Sequence, residues 1–132
     1  LISTETAAAA LALGYFLGFT GPLTYKKADD LRAIAAAVPL DRVVVETDAP
    51  FLTPEPYRGR RNEPAHVRLV AERLAEVRGL PYDAIAQATT ANAHRLFPRL
   101  LLDDRRPTTA DRRPTTADRR PPTADRPLTT DH

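Results

Sequence analysis

The segment Val43 to Pro50, which reads VVVETDAP, constrains the possible folds of this chain more than any other. A continuous β-branched run is typical of a strand buried on both faces, as in parallel sheets, and proline ends it because proline cannot donate to a ladder. Since side chains alternate along a strand, Glu46 and Asp48 are predicted to share a face, about 6.6 Å apart. We therefore expect two carboxylates at the C-terminal end of a buried strand, where parallel α/β proteins place their chemistry.

Two carboxylates that are both ionised and shielded from water need a cation or several hydrogen-bond donors nearby. This requirement makes Asp48, with Glu46 behind it, a candidate metal ligand or general base. A purely structural interpretation is also open at this point, in which Asp48 caps the turn and Glu46 pairs with an arginine.

Helix and strand signals alternate on both sides of this segment. Capping residues and hydrophobic periodicity delimit the helices, and apolar runs delimit the strands. The predicted elements are helix 3–13 with Gly14 as its cap, strand 15–19, helix 28–38, the strand at Val43, a helix that buries Val67, Val70, Leu74 and Val77 and stops at Gly79, and two short helices, 82–90 and 91–97. Such alternation is typical of a parallel α/β protein whose connections cross over the sheet.

A loop over residues 51–64 follows the acidic strand and is too rich in proline for a regular element. Long ordered loops are often functional. Asn62 is predicted to be the N-cap of the next helix, and a helix N-terminus favours anions. The loop also carries three arginines, which suit phosphate or carboxylate groups: Arg58, Arg60 and Arg61. In the alternative interpretation, these arginines are solvated or paired with Glu55 and Glu63.

Composition restricts the other possibilities. The 132 residues include no cysteine, which excludes a disulfide scaffold and a thiolate metal site. The longest apolar stretch, Ala7 to Leu13, is too short to span a bilayer, so we expect a cytoplasmic protein that does not interact with membranes. The net charge of +2 is too small to indicate nucleic-acid binding by itself. The three histidines show none of the paired spacings that are typical of metal sites.

The composition changes after Leu102, where an imperfect seven-residue repeat of Arg, Pro, Thr, Ala and Asp begins. A proline in every repeat and the scarcity of apolar residues exclude a coiled coil and predict a disordered tail. The expected organisation is therefore a folded part over 1–102 and a low-complexity tail over 103–132. The arginine pairs of the tail leave a role in phosphate binding open.

Several motifs, in the same order and spacing, resemble the C-terminal part of the TatD family of metal-dependent deoxyribonucleases. The motifs are PLDRVVVETDAPFL at 39–52, RGRRNEP at 58–64, TTANAHRLF at 89–97, GYFLGFTG at 14–21 and YKKA at 25–28. The resemblance covers residues 1–97 and does not include the tail.

The resemblance implies a (β/α)₈ TIM-type barrel hydrolase, related to the amidohydrolases, which binds divalent metal ions (Mg, Mn or Zn) and cleaves DNA. In that family the aspartate of the ETD motif, here Asp48, lies on the eighth strand, binds metal and accepts a proton from the attacking water. Glu46 is expected to support its position. Arg58, Arg61 and Asn62 are expected to bind the substrate.

The other metal ligands of the family, an HxH pair, a strand glutamate and two later histidines, would all precede Leu1. We therefore expect this chain to form about the last two β/α units of the barrel and to be inactive alone. The alternative is a truncated relic that only binds a partner or has no activity.

Overall fold

The structure, a computed structural model, describes residues 3–101, so the predicted repeat tail at 103–132 lies outside the described residues. Four helices and two strands make up the described part: α1 (Thr4–Ala12), β1 (Leu17–Phe19), α2 (Asp29–Ala37), β2 (Val43–Val45), α3 (Val67–Arg78) and α4 (Tyr82–Leu96). Short 3₁₀ turns lie between or after them, at Gly21–Thr24, Leu40–Arg42, Pro64–His66 and Pro98–Leu101. No helix within residues 3–101 combines the length and the apolar character needed to cross a bilayer.

The ends of α1 lie where the capping residues predict them. The Ser3 hydroxyl accepts a hydrogen bond from the Thr6 amide at 3.2 Å, which satisfies one of the free donors of the first turn. At the other end Gly14 has a φ of +82°, and the next amide, that of Tyr15, donates back to the carbonyl of Ala10 at 3.0 Å. This left-handed ending suits glycine, which has no Cβ to clash.

Strands β1 and β2 pair in parallel, with Leu17 opposite Val43 and Phe19 opposite Val45. The helix α2 connects them, so the predicted alternation of a parallel α/β protein is confirmed. Each strand has only three residues, fewer than the predicted 15–19 and the predicted run to Asp48. The ladder continues by one bond beyond β2, from the Glu46 amide to the Phe19 carbonyl at 3.0 Å.

The hydrophobic core forms where the helices cover this sheet. Helix α3 packs against α2 and α4, and α4 packs against β2. The side chains with 0% exposure come from four different elements and a turn: Leu23, Ala35, Val43, Val70, Leu74 and Ile85. Of the four residues that α3 was expected to bury, Val70 and Leu74 are fully buried, whereas Val67 and Val77 are half-buried.

Helix α4 is continuous from Tyr82 to Leu96, so the prediction of two helices, 82–90 and 91–97, is wrong. Threonine and asparagine are weak helix formers, which made residues 89–92 resemble a break. Instead, the Thr89 hydroxyl donates to the Ile85 carbonyl within the helix at 2.9 Å. Asn92 is 3% exposed and forms hydrogen bonds to β2. Tertiary contacts therefore override the local propensity.

Side chains fasten the N-terminal ends of both strands. The Asn92 amide nitrogen donates to the Leu40 carbonyl at 2.8 Å and to the Val43 carbonyl at 2.6 Å. Arg42 donates to the Gly14 carbonyl at 3.0 Å, and its guanidinium lies 5.5 Å from the centre of the Phe16 ring. These contacts stabilise the end of the sheet opposite to the one that carries the candidate site.

Candidate functional site

Asp48 lies in a tight turn, three residues after the end of β2. The Phe51 amide donates to the Asp48 carbonyl at 2.8 Å, and the Ala49 amide donates to the Thr47 hydroxyl at 3.3 Å. The φ of Asp48 is +56°, in the left-handed region that non-glycine residues rarely adopt. The alternation predicted for an extended strand therefore stops before Asp48, and the turn sets the direction of its exposed carboxylate.

Glu46 follows β2 directly, and its exposed carboxylate lies beside Gly18 of β1. A Cβ on Gly18 would come within 2.8 Å of the Glu46 Oε1 atom, so the glycine leaves the space that this oxygen occupies. The ion pairs within residues 3–101 join Arg32 with Asp29, Arg68 with Glu72 and Arg73 with Glu76. Glu46 is thus not paired with an arginine in the described part of the chain.

Asn62 holds the Asp48 turn from the far end of the loop. Its side chain is 2% exposed. The amide nitrogen donates to the carbonyls on both sides of Asp48, to that of Thr47 at 2.7 Å and to that of Phe51 at 2.6 Å. The backbone amide of Asn62 donates to the Pro50 carbonyl at 3.0 Å. The loop 51–62 is thus closed at its base around the candidate ligand.

The other polar atom of Asn62, Oδ1, also has protein partners. It accepts from the Glu63 amide at 2.9 Å and lies 3.0 Å from Nδ1 of His66. The N-cap of the 3₁₀ turn that leads into α3 is Glu63, so the prediction of Asn62 as the N-cap is wrong by one residue. The buried Asn62 side chain instead binds the backbone that follows β2. Sequence reasoning did not identify this role.

The loop arginines project from the same segment. Arg58 is exposed, and its guanidinium lies 4.2 Å from the centre of the Tyr25 ring, a cation–π arrangement. Arg61 is also exposed. The alternative interpretation paired these arginines with Glu55 and Glu63. The ion pairs found within residues 3–101 do not include such a pair.

Hydrogen bonds through Thr24 and a close backbone approach at Gly21 fix the loop to the 3₁₀ turn that follows β1. The Glu55 amide donates to the Thr24 hydroxyl at 2.8 Å, and this hydroxyl donates to the Gly21 carbonyl at 2.7 Å. A Cβ on Gly21 would lie 1.8 Å from the Leu52 carbonyl oxygen, so only glycine allows this approach. The segments that follow the C-terminal ends of β1 and β2 are therefore held in contact.

The donor set of the described residues can be tested against a divalent ion. Asp48 offers an exposed carboxylate on a turn whose backbone is held by hydrogen bonds, which fits a single metal ligand. A hydrolytic ion needs about three protein ligands, and residues 3–101 contain no group of three or more His, Cys, Asp or Glu side chains placed to hold one. The described residues therefore do not make a complete metal site.

Comparisons with known proteins agree on one family. The sequence model described as TatD related DNase matches residues 2–98. The chain is 50% identical over 93 residues to the uncharacterized metal-dependent hydrolase YcfH of Escherichia coli K12, covering 70% of this chain and 35% of the relative. It is 39% identical over 94 residues to a protein of Pectobacterium parmentieri named 3'-5' ssDNA/RNA exonuclease TatD, covering 67% and 36%.

Among solved structures, YJJV, a TatD homologue from Escherichia coli K12, superimposes with a TM-score of 0.70 at 36% identity. The match covers 74% of this chain and 38% of that one. The chain therefore spans little more than a third of the length of the relatives it matches.

Proposed function

This chain belongs to the TatD-related DNase family, and we propose that it forms the C-terminal part of a metal-dependent hydrolase that cleaves phosphodiester bonds of DNA. We call that longer protein the parent protein. In it, β1 and β2 are the last two strands of a (β/α)₈ barrel, and the unpaired outer edges of this parallel pair join the remaining strands. The name of the Pectobacterium relative supports nucleic acid as the substrate class.

The observation that carries this proposal is the exposed Asp48 carboxylate, held on a closed turn at the C-terminal end of a parallel strand. We assign Asp48 as one ligand of a divalent metal centre whose other ligands come from the rest of the parent protein. A divalent ion held there, Mg²⁺, Mn²⁺ or Zn²⁺, would lower the pKa of a bound water and so make it a better nucleophile. Asp48 contributes a negative charge, a fixed direction and a proton acceptor. Glu46, directly after β2, supports its position.

Arg58 and Arg61 supply the cationic side of the proposed site. Both are exposed on the loop whose base holds Asp48, which supports a role in binding a substrate phosphate. Arginine suits this role because its planar fork binds two phosphate oxygens together.

A second candidate function is a binding module or an inactive relic. The absence of a three-ligand cluster within residues 3–101 favours it for this chain taken alone. Activity of the parent protein separates the two candidates.

The test is Asp48→Asn in the parent protein. Mutating a residue that only contacts a metal ligand typically lowers metal affinity or activity by about 10- to 100-fold. Removing a ligand itself should therefore lower kcat by more than about a hundredfold. The amide keeps the shape of the side chain and removes its charge, so thermal unfolding should change little. Nuclease assays with Mg²⁺ or Mn²⁺ and calorimetric Mn²⁺ titration measure the loss.

The matched control is Asp41→Asn, because Asp41 is also exposed but precedes β2, at the opposite end of the strand. This variant should retain normal turnover. Normal turnover of Asp48→Asn at saturating Mg²⁺ or Mn²⁺ would contradict the assignment.

A further inference from the structure

Two buried asparagines fasten the two ends of β2 in the same way. Asn92, from α4, donates to the carbonyls of Leu40 and Val43 before and at the start of the strand. Asn62, from the loop, donates to the carbonyls of Thr47 and Phe51 after its end. The side chains are 3% and 2% exposed, and the four distances lie between 2.6 and 2.8 Å.

The two asparagines differ in the part of the chain whose carbonyls they bind. The carbonyls that Asn62 binds lie on either side of Asp48, whose φ of +56° persists only where the surroundings enforce it. Without the Asn62 donors, both carbonyls lose a buried partner and the turn is free to relax. The carbonyls that Asn92 binds belong to the N-terminal end of β2, far along the strand from Asp48.

The orientation of the Asn62 amide follows from its partners. The Thr47 and Phe51 carbonyls only accept, so the group that faces them is the nitrogen, and both of its hydrogens are used. Oδ1 is an acceptor, so its 3.0 Å contact with His66 is a hydrogen bond when Nδ1 carries the hydrogen; the Glu63 amide, 3.4 Å from Nδ1, then donates to Oδ1 at 2.9 Å. The His66 ring is stacked on Tyr57, with ring centres 4.9 Å apart and planes at 10°. A fixed chain of contacts thus runs from Tyr57 to the Asp48 turn.

We infer that Asn62 is a positioning residue for Asp48, which sets the direction of the carboxylate toward the metal, whereas Asn92 contributes stability alone. This inference rests on the proposed function, because it gives Asn62 a purpose only if Asp48 binds metal. It also replaces the expectation that Asn62 contacts substrate, since its donors and its acceptor already have partners in the chain.

The experiment compares Asn62→Ala with Asn92→Ala in the parent protein. Neither substitution changes the net charge, and each leaves two carbonyls without their side-chain donor. Both should therefore lower the thermal unfolding temperature by similar amounts. Only Asn62→Ala should weaken Mn²⁺ binding by about ten- to a hundredfold, the range for partners that orient a metal ligand. Without metal, the amide of Phe51, which donates to the Asp48 carbonyl, should exchange with solvent faster in that variant alone.

A gentler variant covers the case in which Asn62→Ala does not fold. His66→Phe keeps a ring to stack on Tyr57 and removes the Nδ1 donor to Asn62. It should weaken Mn²⁺ binding severalfold and speed exchange of the Phe51 amide. If His66→Phe leaves both quantities unchanged, the inference is overturned.

The outcomes separate this inference from the proposed function. If Asp48→Asn abolishes Mn²⁺ binding but Asn62→Ala weakens it no more than Asn92→Ala does, the positioning role is wrong and the metal-ligand assignment stands. If Asp48→Asn leaves Mn²⁺ binding intact, both are overturned.

Discussion

Two glycines, one within β1 and one in the turn after it, determine how closely the chain after β2 can approach. Gly18 leaves room for the side-chain oxygen of Glu46, at 2.8 Å from where a Cβ would be. Gly21 leaves room for backbone, the Leu52 carbonyl oxygen at 1.8 Å. A side-chain end can rotate away from an added methyl group, whereas a carbonyl in a closed loop cannot. The two positions should therefore respond very differently to the same substitution.

Gly21→Ala should lower the free energy of unfolding by at least about 3 kcal/mol, the upper range for overpacking, because the Leu52 backbone must move. Gly18→Ala should cost less than about 1 kcal/mol, because only the Glu46 carboxylate must turn. Urea unfolding of the parent protein measures both values. Equal effects of the two substitutions would show that the loop does not pack on Gly21 as described.

At the residue scale, the sequence predicted Asp48 as a candidate ligand but not the contacts that hold its turn. The ETDAP pattern is local, so its strand and its stop could be predicted from propensity and proline chemistry alone. The left-handed φ of Asp48 and the burial of Asn62 depend on contacts across the loop. Asn92 had a local signal, since it follows Ile85 and Thr89 at helical spacing on a buried stripe.

The loop 51–64 is the element that joins fold and proposed function. Its base is closed by Asn62, its middle is fixed by the Glu55 amide to Thr24, and its arginines remain exposed. Cap residues and periodicity predicted both ends of α1 and the C-terminal end of α3 because those signals are local. The same reasoning divided α4 wrongly, because weak local propensity did not take account of the hydrogen bond by which Asn92 packs against β2.

Arg58→Ala and Arg61→Ala should each raise the KM for DNA severalfold and reduce the salt dependence of binding by about one phosphate contact. Arg58 also stacks on Tyr25, so its variant should lose a little stability as well. Steady-state kinetics and binding at several salt concentrations measure these effects in the parent protein.

Arg68→Ala is the control for this pair, because Arg68 is exposed on α3 and pairs with Glu72 instead. It should leave KM and salt dependence unchanged. If the two loop variants behave like the control, their arginines are merely solvated.

At the scale of the whole molecule, residues 3–101 expose several large apolar side chains. Leu13 is 73% exposed, Tyr15 61%, Phe51 68% and Phe97 56%. The two-stranded sheet also has an outer edge on each strand with no partner strand within the described residues. Open edges and exposed apolar groups favour association, and a two-stranded sheet alone is marginally stable.

We therefore expect residues 1–132, expressed alone, to be aggregated or partly folded, to bind no divalent metal tightly and not to degrade DNA. The physical reason is that one carboxylate cannot hold a hydrolytic ion. Calorimetric Mn²⁺ or Zn²⁺ titration and a DNase assay on the purified chain test this expectation. Micromolar binding of about one ion per chain, with chelator-sensitive cleavage, would contradict it.

The two buried asparagines, Asn62 and Asn92, also limit how the segment from Val43 to Thr47 can change length during evolution. The carbonyls of Val43 and Thr47 are held by different parts of the chain, so inserting or deleting one residue between them would release one of the two. Substitutions that keep the length leave both bonds available. The loop tip at Gly59 differs, because its φ is +87° and nothing lies within 4 Å of where a Cβ would be. Insertions among homologues should therefore accumulate around Gly59 and be absent between Val43 and Thr47.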